Sequence, residues 1–277
     1  MIRLFFSACL LGAIALGGWF IWDSFPNLRE IVKEKFHSTD LRTLEIRFSA
    51  EEIMERNRRE LLKGEDYAYL EPRLVFYPYV MMKTKFTTPQ LRTQEGILLW
   101  GLTDGEMVIN TSNWERTHGF EDCLLAKATK NDFKILKAII EAGGAIDREN
   151  LYQKFKADAD IVDKWITCCR NKKLVAVSGN HFRLHLQNPH LENTPITLLN
   201  EPLVAQPTKY SIKSKKRYSI AQVRKLAQIA FGDDFAIKST VQIFLPVYNI
   251  EVQNPDGSVL VTYWNALNGR RFEQTGY

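Results

Sequence analysis

The feature that most constrains this chain is a plan that occurs twice. Tyr218 to Phe272 reads as a helix (SIAQVRKLAQIAF), a GDDF turn, a strand containing FLPVYNIEV, a Pro-Asp-Gly turn and a strand VLVTYWNAL closed by Asn-Gly. Phe48 to Val108 follows the same order. Phe48-Ser49 matches Tyr218-Ser219, Ile53 matches Val223, and GEDY at Gly64 to Tyr67 matches GDDF at Gly232 to Phe235. Eleven positions separate Tyr67 from Pro78 and Phe235 from Pro246, and five separate Trp100 from Gly105 and Trp264 from Gly269. The copies differ by two residues in the helix and four in the first hairpin loop, where surface loops tolerate insertions. Several spacings that agree independently are the mark of an internal repeat.

The N-terminus is of another kind. Leu4 to Trp22 is a run without a charge, ending in Trp19 and Trp22. At 1.5 Å per residue it nearly crosses a hydrocarbon core as a helix, with its aromatics at the interface. The bulky WFIWD exit makes a poor cleavage site, so an uncleaved single span is expected. Arg29, Lys33 and Lys35 beyond the span outnumber Arg3 before it, which favours a bacterial inner-membrane protein with its bulk in the cytoplasm. Four cysteines, Cys9, Cys123, Cys168 and Cys169, form no disulfide framework and no zinc spacing. A net charge of +5 permits, but does not demand, an anionic partner.

Between the repeated units lies Asn131 to Leu186. Asp132 can cap a helix carrying Phe133, Leu136, Ile139 and Ile140, which Gly143-Gly144 ends; Asp147 begins a second helix and Asp158 or Asp160 a third. Leu174 to Val177 and Phe182 to Leu186 alternate about Ser178-Gly179-Asn180 as a hairpin. Three helices followed by a two-stranded wing resemble a winged helix-turn-helix domain. In that family the third helix often enters the DNA major groove by its N-terminal half. Here that half carries Asp158, Asp160 and Asp163, which repel a polyanion. Lys130 to His190 holds eleven Lys and Arg against seven Asp and Glu, so the module is basic but its reading end is acidic. Protein contact is therefore favoured over DNA reading.

The C-terminal unit, with YNIEV, the Asp256-Gly257 turn, VTYWNAL and Asn268-Gly269-Arg270, looks like a PepSY domain. That resemblance implies an extracytoplasmic module that binds or inhibits peptidases, at odds with the free cysteines and the flanking charges.

The expected fold class is α+β: an N-terminal transmembrane helix, two helix-plus-β-hairpin repeat units forming one body, and a winged-helix module inserted between them. The expected boundaries are an anchor at 1–24, a stalk helix at 25–47, a first unit at 48–110, a connector at 111–130, the winged-helix-like module at 131–188, a Pro-rich linker at 189–217 and the second unit at 218–277. The expected function is a membrane-anchored, non-enzymatic scaffold or adaptor within an envelope or secretion complex, held to the membrane by Leu4 to Trp22; the alternative is a membrane-tethered DNA-binding regulator. Candidate binding residues are Arg170, Lys172, Lys173 and Arg183, with Lys215, Lys216 and Arg217 in a second basic run. No catalytic set, metal ligands or cofactor is expected. His118 with Cys123, or Asp233-Asp234, is the weaker hydrolase reading, since turn roles explain the acids.

Overall fold

The computed structural model describes residues 40–88, 92–155, 157–186, 189–191, 194–199, 202–207 and 212–273. In chain order the elements are β1 (Asp40–Leu44), α1 (Ala50–Arg56), α2 (Arg58–Leu61), β2 (Ala68–Tyr69), β3 (Arg73–Thr87), β4 (Thr93–Gly101), β5 (Met107–Asn110), β6 (Glu115–Arg116) and α3 (Phe120–Leu125). There follow α4 (Lys130–Glu141), β7 (Ala145–Asp147), α5 (Arg148–Gln153), α6 (Ala159–Asn171), β8 (Val175–Ser178) and β9 (His181–Leu184). Last come β10 (Leu203–Pro207), β11 (Ile212–Lys213), α7 (Ile220–Phe231), β12 (Phe235–Gln253) and β13 (Val259–Asn265).

Both long strands pair with each other. β3 and β12 run antiparallel from Phe76↔Pro246 to Phe86↔Phe235, and they form the centre of a ten-stranded mixed sheet whose main path is β10-β1-β12-β3-β4-β5-β6. The register carries the sequence offset of 168. Tyr77 pairs with Leu245, its own counterpart, and the pairs Phe76↔Pro246 and Pro78↔Phe244 exchange under the same offset. The hairpins correspond as well: Val80 faces Trp100 in one and Tyr248 faces Trp264 in the other.

The expected fold class, α+β with two helix-plus-hairpin units forming one body around an inserted module, is corrected by this topology. The fold is mixed α/β, with a curled sheet of ten strands and seven helices among the described residues. Each half gives its leading segment to the opposite half. β1 adds parallel to β12 at Thr43↔Phe244, and β11 adds parallel to β3 at Lys213↔Phe76. Arg47 and Phe48 donate their N–H groups to the Ala266 carbonyl, as Arg217 and Tyr218 do to that of Leu102. The helices follow. Ile53 of α1 and Leu61 of α2 share a core cluster with Ile250, Val252 and Trp264 of the second hairpin. Val223, Leu226, Ala227 and Ala230 of α7 share another with Val80, Met82, Leu98 and Trp100 of the first. A lone helix and hairpin buries too little to stand alone, and exchanging helices gives each hairpin a cover that is covalently tied to the other.

Nor is 131–188 a separate insertion. Phe133, Leu136 and Ile139 of α4, Ile166 of α6 and Phe182 of β9 belong to the same buried cluster as Trp100 and Phe120. Its hairpin is widened by β7 into a three-stranded sheet of order β7-β9-β8. The stretch expected to be an irregular linker supplies β10, which pairs with β1, and β11. The opposite sheet face curls around Tyr77, Tyr79, Leu99, Ile243, Leu245 and Val247, closed by Leu44, Trp114, Leu267 and Phe272. No helix of the described residues is long and apolar enough to cross a membrane; Leu4 to Trp22 and the expected stalk up to residue 39 lie outside the described residues, and the rest of that stalk is not helix but carries strand β1, Asp40–Leu44.

Local chemistry explains the element ends. Capping boxes at Ser49/Glu52 and Ser219/Gln222 start α1 and α7. The helical stretch after Ser49 is broken at Asn57, between α1 and α2, where Asn57 Nδ2 donates to the Ile53 carbonyl at 2.8 Å and competes with the backbone. Gly105 and Gly269 occupy matching turns at φ of 72° and 69°, which a side chain disfavours; a Cβ there would also meet Tyr218 at 3.0 Å and Phe48 at 3.2 Å respectively.

Candidate functional site

Helix α6 forms because Val162, Ile166 and Cys169 recur at helical spacing and are buried together. Its last turn closes through Lys173 N–H to the Arg170 carbonyl and Leu174 N–H to the Cys169 carbonyl, both 2.9 Å, with Lys173 at a φ of 57°. That turn throws the chain directly into β8. The cations Arg170 and Lys173 thus sit at the negative end of the helix dipole, a favourable place for them.

β8 is an edge. Among the described residues its one neighbour is β9, whose other side is taken by β7. His185 N–H donates to the Leu174 carbonyl at 2.9 Å, so the main-chain groups of Leu174, and by alternation of Ala176 and Ser178, face β9. Those of Val175 and Val177 face away. Beside this edge is an open groove of about 510 Å³ lined by Arg170, Asn171, Lys173, Val175, Ala176, Val177 and His185. Its lining holds two fixed positive charges, an imidazole and no carboxylate.

A groove of about 560 Å³ lies at the opposite edge, lined by residues including Glu141, Asp147, Asn150, Lys154 and His181. It is neutralised from within. Lys154 pairs with Glu141 at 3.0 Å, and Asp147, held below the usual carboxylate range chiefly by the Asn150 N–H, caps α5. Of these two grooves, the β8 groove is the one whose lining carries charge of a single sign.

No family model, no curated protein and no solved structure matches this chain.

Of the residues singled out in sequence, Arg170 and Lys173 come together in the groove, while Arg183 is exposed on neighbouring β9, opposite Ala176. Lys172 does not join them. Its Nζ lies 2.5 Å from Oδ2 of Asp132, a carboxylate only 1% exposed, and so ties α6 to α4. Burial pushes the Asp132 carboxyl upward, but the Lys172 ammonium and the donors of Thr129 outweigh it and hold it low. The second basic run lies in the connector between β11 and α7. Lys215 is exposed, Lys216 Nζ donates to Gln242 at 2.6 Å, and Arg217 pairs with Glu121 and lies over the Tyr218 ring.

The acidic end of α6 is exposed, with Asp163 taken by the Tyr152 hydroxyl and by Arg148 at 3.2 Å. Cys123 is fully buried, and burial pushes its thiol up, whereas His118 is exposed, so the two do not form a reacting pair. Asp233 pairs with Lys130 at 2.5 Å. No cluster of metal-ligating side chains occurs among the described residues.

The sequence reading missed Asn171, His185 and the free edge itself. His185 had a weak signal, two residues beyond Arg183 on an alternating strand. The edge had none, because it exists only once Ala145–Asp147 pairs with β9.

Proposed function

We propose that this chain is a non-enzymatic adaptor that binds a protein partner by adding an extended, acidic segment of it to the free edge of β8. The observation that carries this reading is the outward-facing backbone of Val175 and Val177 lying beside Arg170 and Lys173 in one open groove. Main-chain pairing along such an edge supplies affinity, and flanking charge supplies selectivity. In this reading Leu4 to Trp22 holds the adaptor at the bacterial inner membrane with its bulk on the cytoplasmic side. The winged-helix-like order of elements serves protein contact, since the acidic first turn of α6 faces a nucleic acid badly.

The test is fluorescence anisotropy of the full chain in detergent with a labelled peptide of alternating valine and glutamate. Arg170→Glu with Lys173→Glu is expected to weaken binding at least about a hundredfold. Val177→Pro removes an outward N–H but no β8–β9 bond, and is expected to weaken it about tenfold. Peptide binding unchanged by both variants sinks the proposal. So does steep, salt-dependent binding of duplex DNA that the charge reversal abolishes, which would install the regulator reading instead.

A further inference from the structure

The second hairpin ends in an edge that the first does not have. β4 is covered on its outer side: Leu99 and Trp100 pair with Val108 and Met107 of β5, and Thr197 donates its N–H to the Ile97 carbonyl at 2.7 Å. β13, the counterpart of β4, pairs with β12 and is covered on its outer side only near its C-terminal end. There Arg271 bridges Trp264 and the Phe272 N–H donates to the Tyr263 carbonyl at 2.7 Å. Among the described residues nothing pairs with the outer side of Val259 to Thr262. Val259, Leu260 and Val261 are 46%, 39% and 40% exposed. No charge interrupts Val259 to Asn265. Soluble edges are normally blunted by a charge, a proline or a bulge, and this one carries none of them.

We propose that the β13 edge is the site where a second copy of this chain docks, strand to strand, about a two-fold axis through Leu260. The register follows from the backbone. The Tyr263 carbonyl faces outward to Phe272, so by alternation the N–H and C=O groups of Val259 and Val261 also face outward. Two copies then exchange these groups, Val259 of one with Val261 of the other. Leu260 faces Leu260 of the second copy, and Ser258 faces Thr262. Every facing side chain is apolar or an uncharged hydroxyl. Beyond the ladder, the turn bearing the exposed Asp256 of each copy abuts the other copy's Arg270 and Arg271. Arg271 already faces Glu60 of its own chain at 3.3 Å, so the charge that meets Asp256 at each end is that of Arg270, and the apolar run lies between them. In the first hairpin Ile97, the counterpart of Val261, turns its carbonyl outward and accepts the Thr197 N–H, so the same backbone position does take an outer partner there.

Disulfide trapping reads the register directly. The full chain in detergent, oxidised mildly, is expected to form a cross-linked dimer with Leu260→Cys, because directly opposed residues of this pair lie at disulfide distance. Ser258→Cys and Thr262→Cys are each expected to give only the wild-type background when alone and a dimer when mixed. Val261→Lys, at an exposed position, is expected to keep the thermal melt and to raise the dimer dissociation constant on the order of tenfold or more in sedimentation. A Leu260→Cys chain that stays monomeric overturns the proposal, as does a dimer that persists undiminished in Val261→Lys. Equal cross-linking of Ser258→Cys alone also overturns it. Arg170→Glu with Lys173→Glu leaves this dimer intact, which separates it from the β8 groove.

Discussion

The turns after Trp100 and after Trp264 share a backbone and differ in almost everything else. In each, a side chain caps the turn two residues on: Asp104 Oδ1 accepts from Glu106 N–H at 3.2 Å, and Asn268 Oδ1 accepts from Arg270 N–H at 3.0 Å. In each, the strand after the tryptophan returns the same bonds, from Leu102 to the Pro78 carbonyl and from Ala266 to that of Pro246. Yet Asp104 and Glu106 are buried while Arg270 is exposed. The cause lies downstream. After the first turn the chain continues through β5, β6 and α3 and folds back over it. Asp104 is thereby paired with Arg116 at 2.5 Å, and Glu106 receives Thr117 Oγ1–H at 2.6 Å and the N–H groups of Gly119, Phe120 and Glu121. After the second turn only a few described residues follow. Burial, and with it the demand for polar partners, is set by what comes next in the chain, not by the turn itself.

That comparison can be broken in order of size. Trp100 is wholly buried against Phe120, and its Nε1–H donates to the Gly105 carbonyl at 2.6 Å. Trp264 sits in a smaller cluster. Trp100→Ala should cost about 5 kcal/mol and Trp264→Ala about 3 kcal/mol in urea unfolding; equal losses would mean the two clusters are energetically alike. Asp104→Ala leaves the largely buried Arg116 guanidinium without its carboxylate, though still on the Glu273 carbonyl and the Phe272 ring, and should cost about 3 kcal/mol. Asn268→Ala should cost about 0.5 kcal/mol, and a comparable loss at both sites would refute the account of burial just given.

Glu106 supplies a pH test. Burial pushes its carboxyl from 4.5 up to about 7, against the pull of its hydrogen-bond donors. The folded state therefore holds a proton that the unfolded state releases between about pH 4.5 and 7. Its contribution to stability is full below that window and is lost as pH rises through it, on the order of 3 kcal/mol across the whole window. Melts of Glu106→Gln should lack this decline; a parallel decline in the variant would place the titration elsewhere. The most symmetric effect is a small one. Ser49→Ala and Ser219→Ala each remove one capping hydrogen bond and should each cost about 1 kcal/mol by the same unfolding assay.

Much of the local structure was legible. Ser49 with Glu52 and Ser219 with Gln222 announce helix starts because the capping bonds span three residues. Gly179-Asn180 announces a tight turn for the same reason. The candidate site was legible only in part. Arg170 and Lys173 stand out as a basic cluster, but Lys172 between them looks identical in sequence and is spent on Asp132, forty residues away in the chain. The β8 edge was invisible, because an edge is defined by a neighbour that is not there.

By itself the sequence determined the doubled plan, the offset that relates the halves, and where the turns and helix starts fall, since each depends on contacts within a few residues. Only the tertiary structure decided that the helices cross to the opposite hairpin, that Leu203–Pro207 and Ile212–Lys213 join the sheet, and that one of two matching edges is covered and the other open. Two similar halves offer their hairpins nearly interchangeable helical covers. Local pattern cannot choose between them, and the choice is made by the pairing of β3 with β12, which brings residues far apart in the chain into one register.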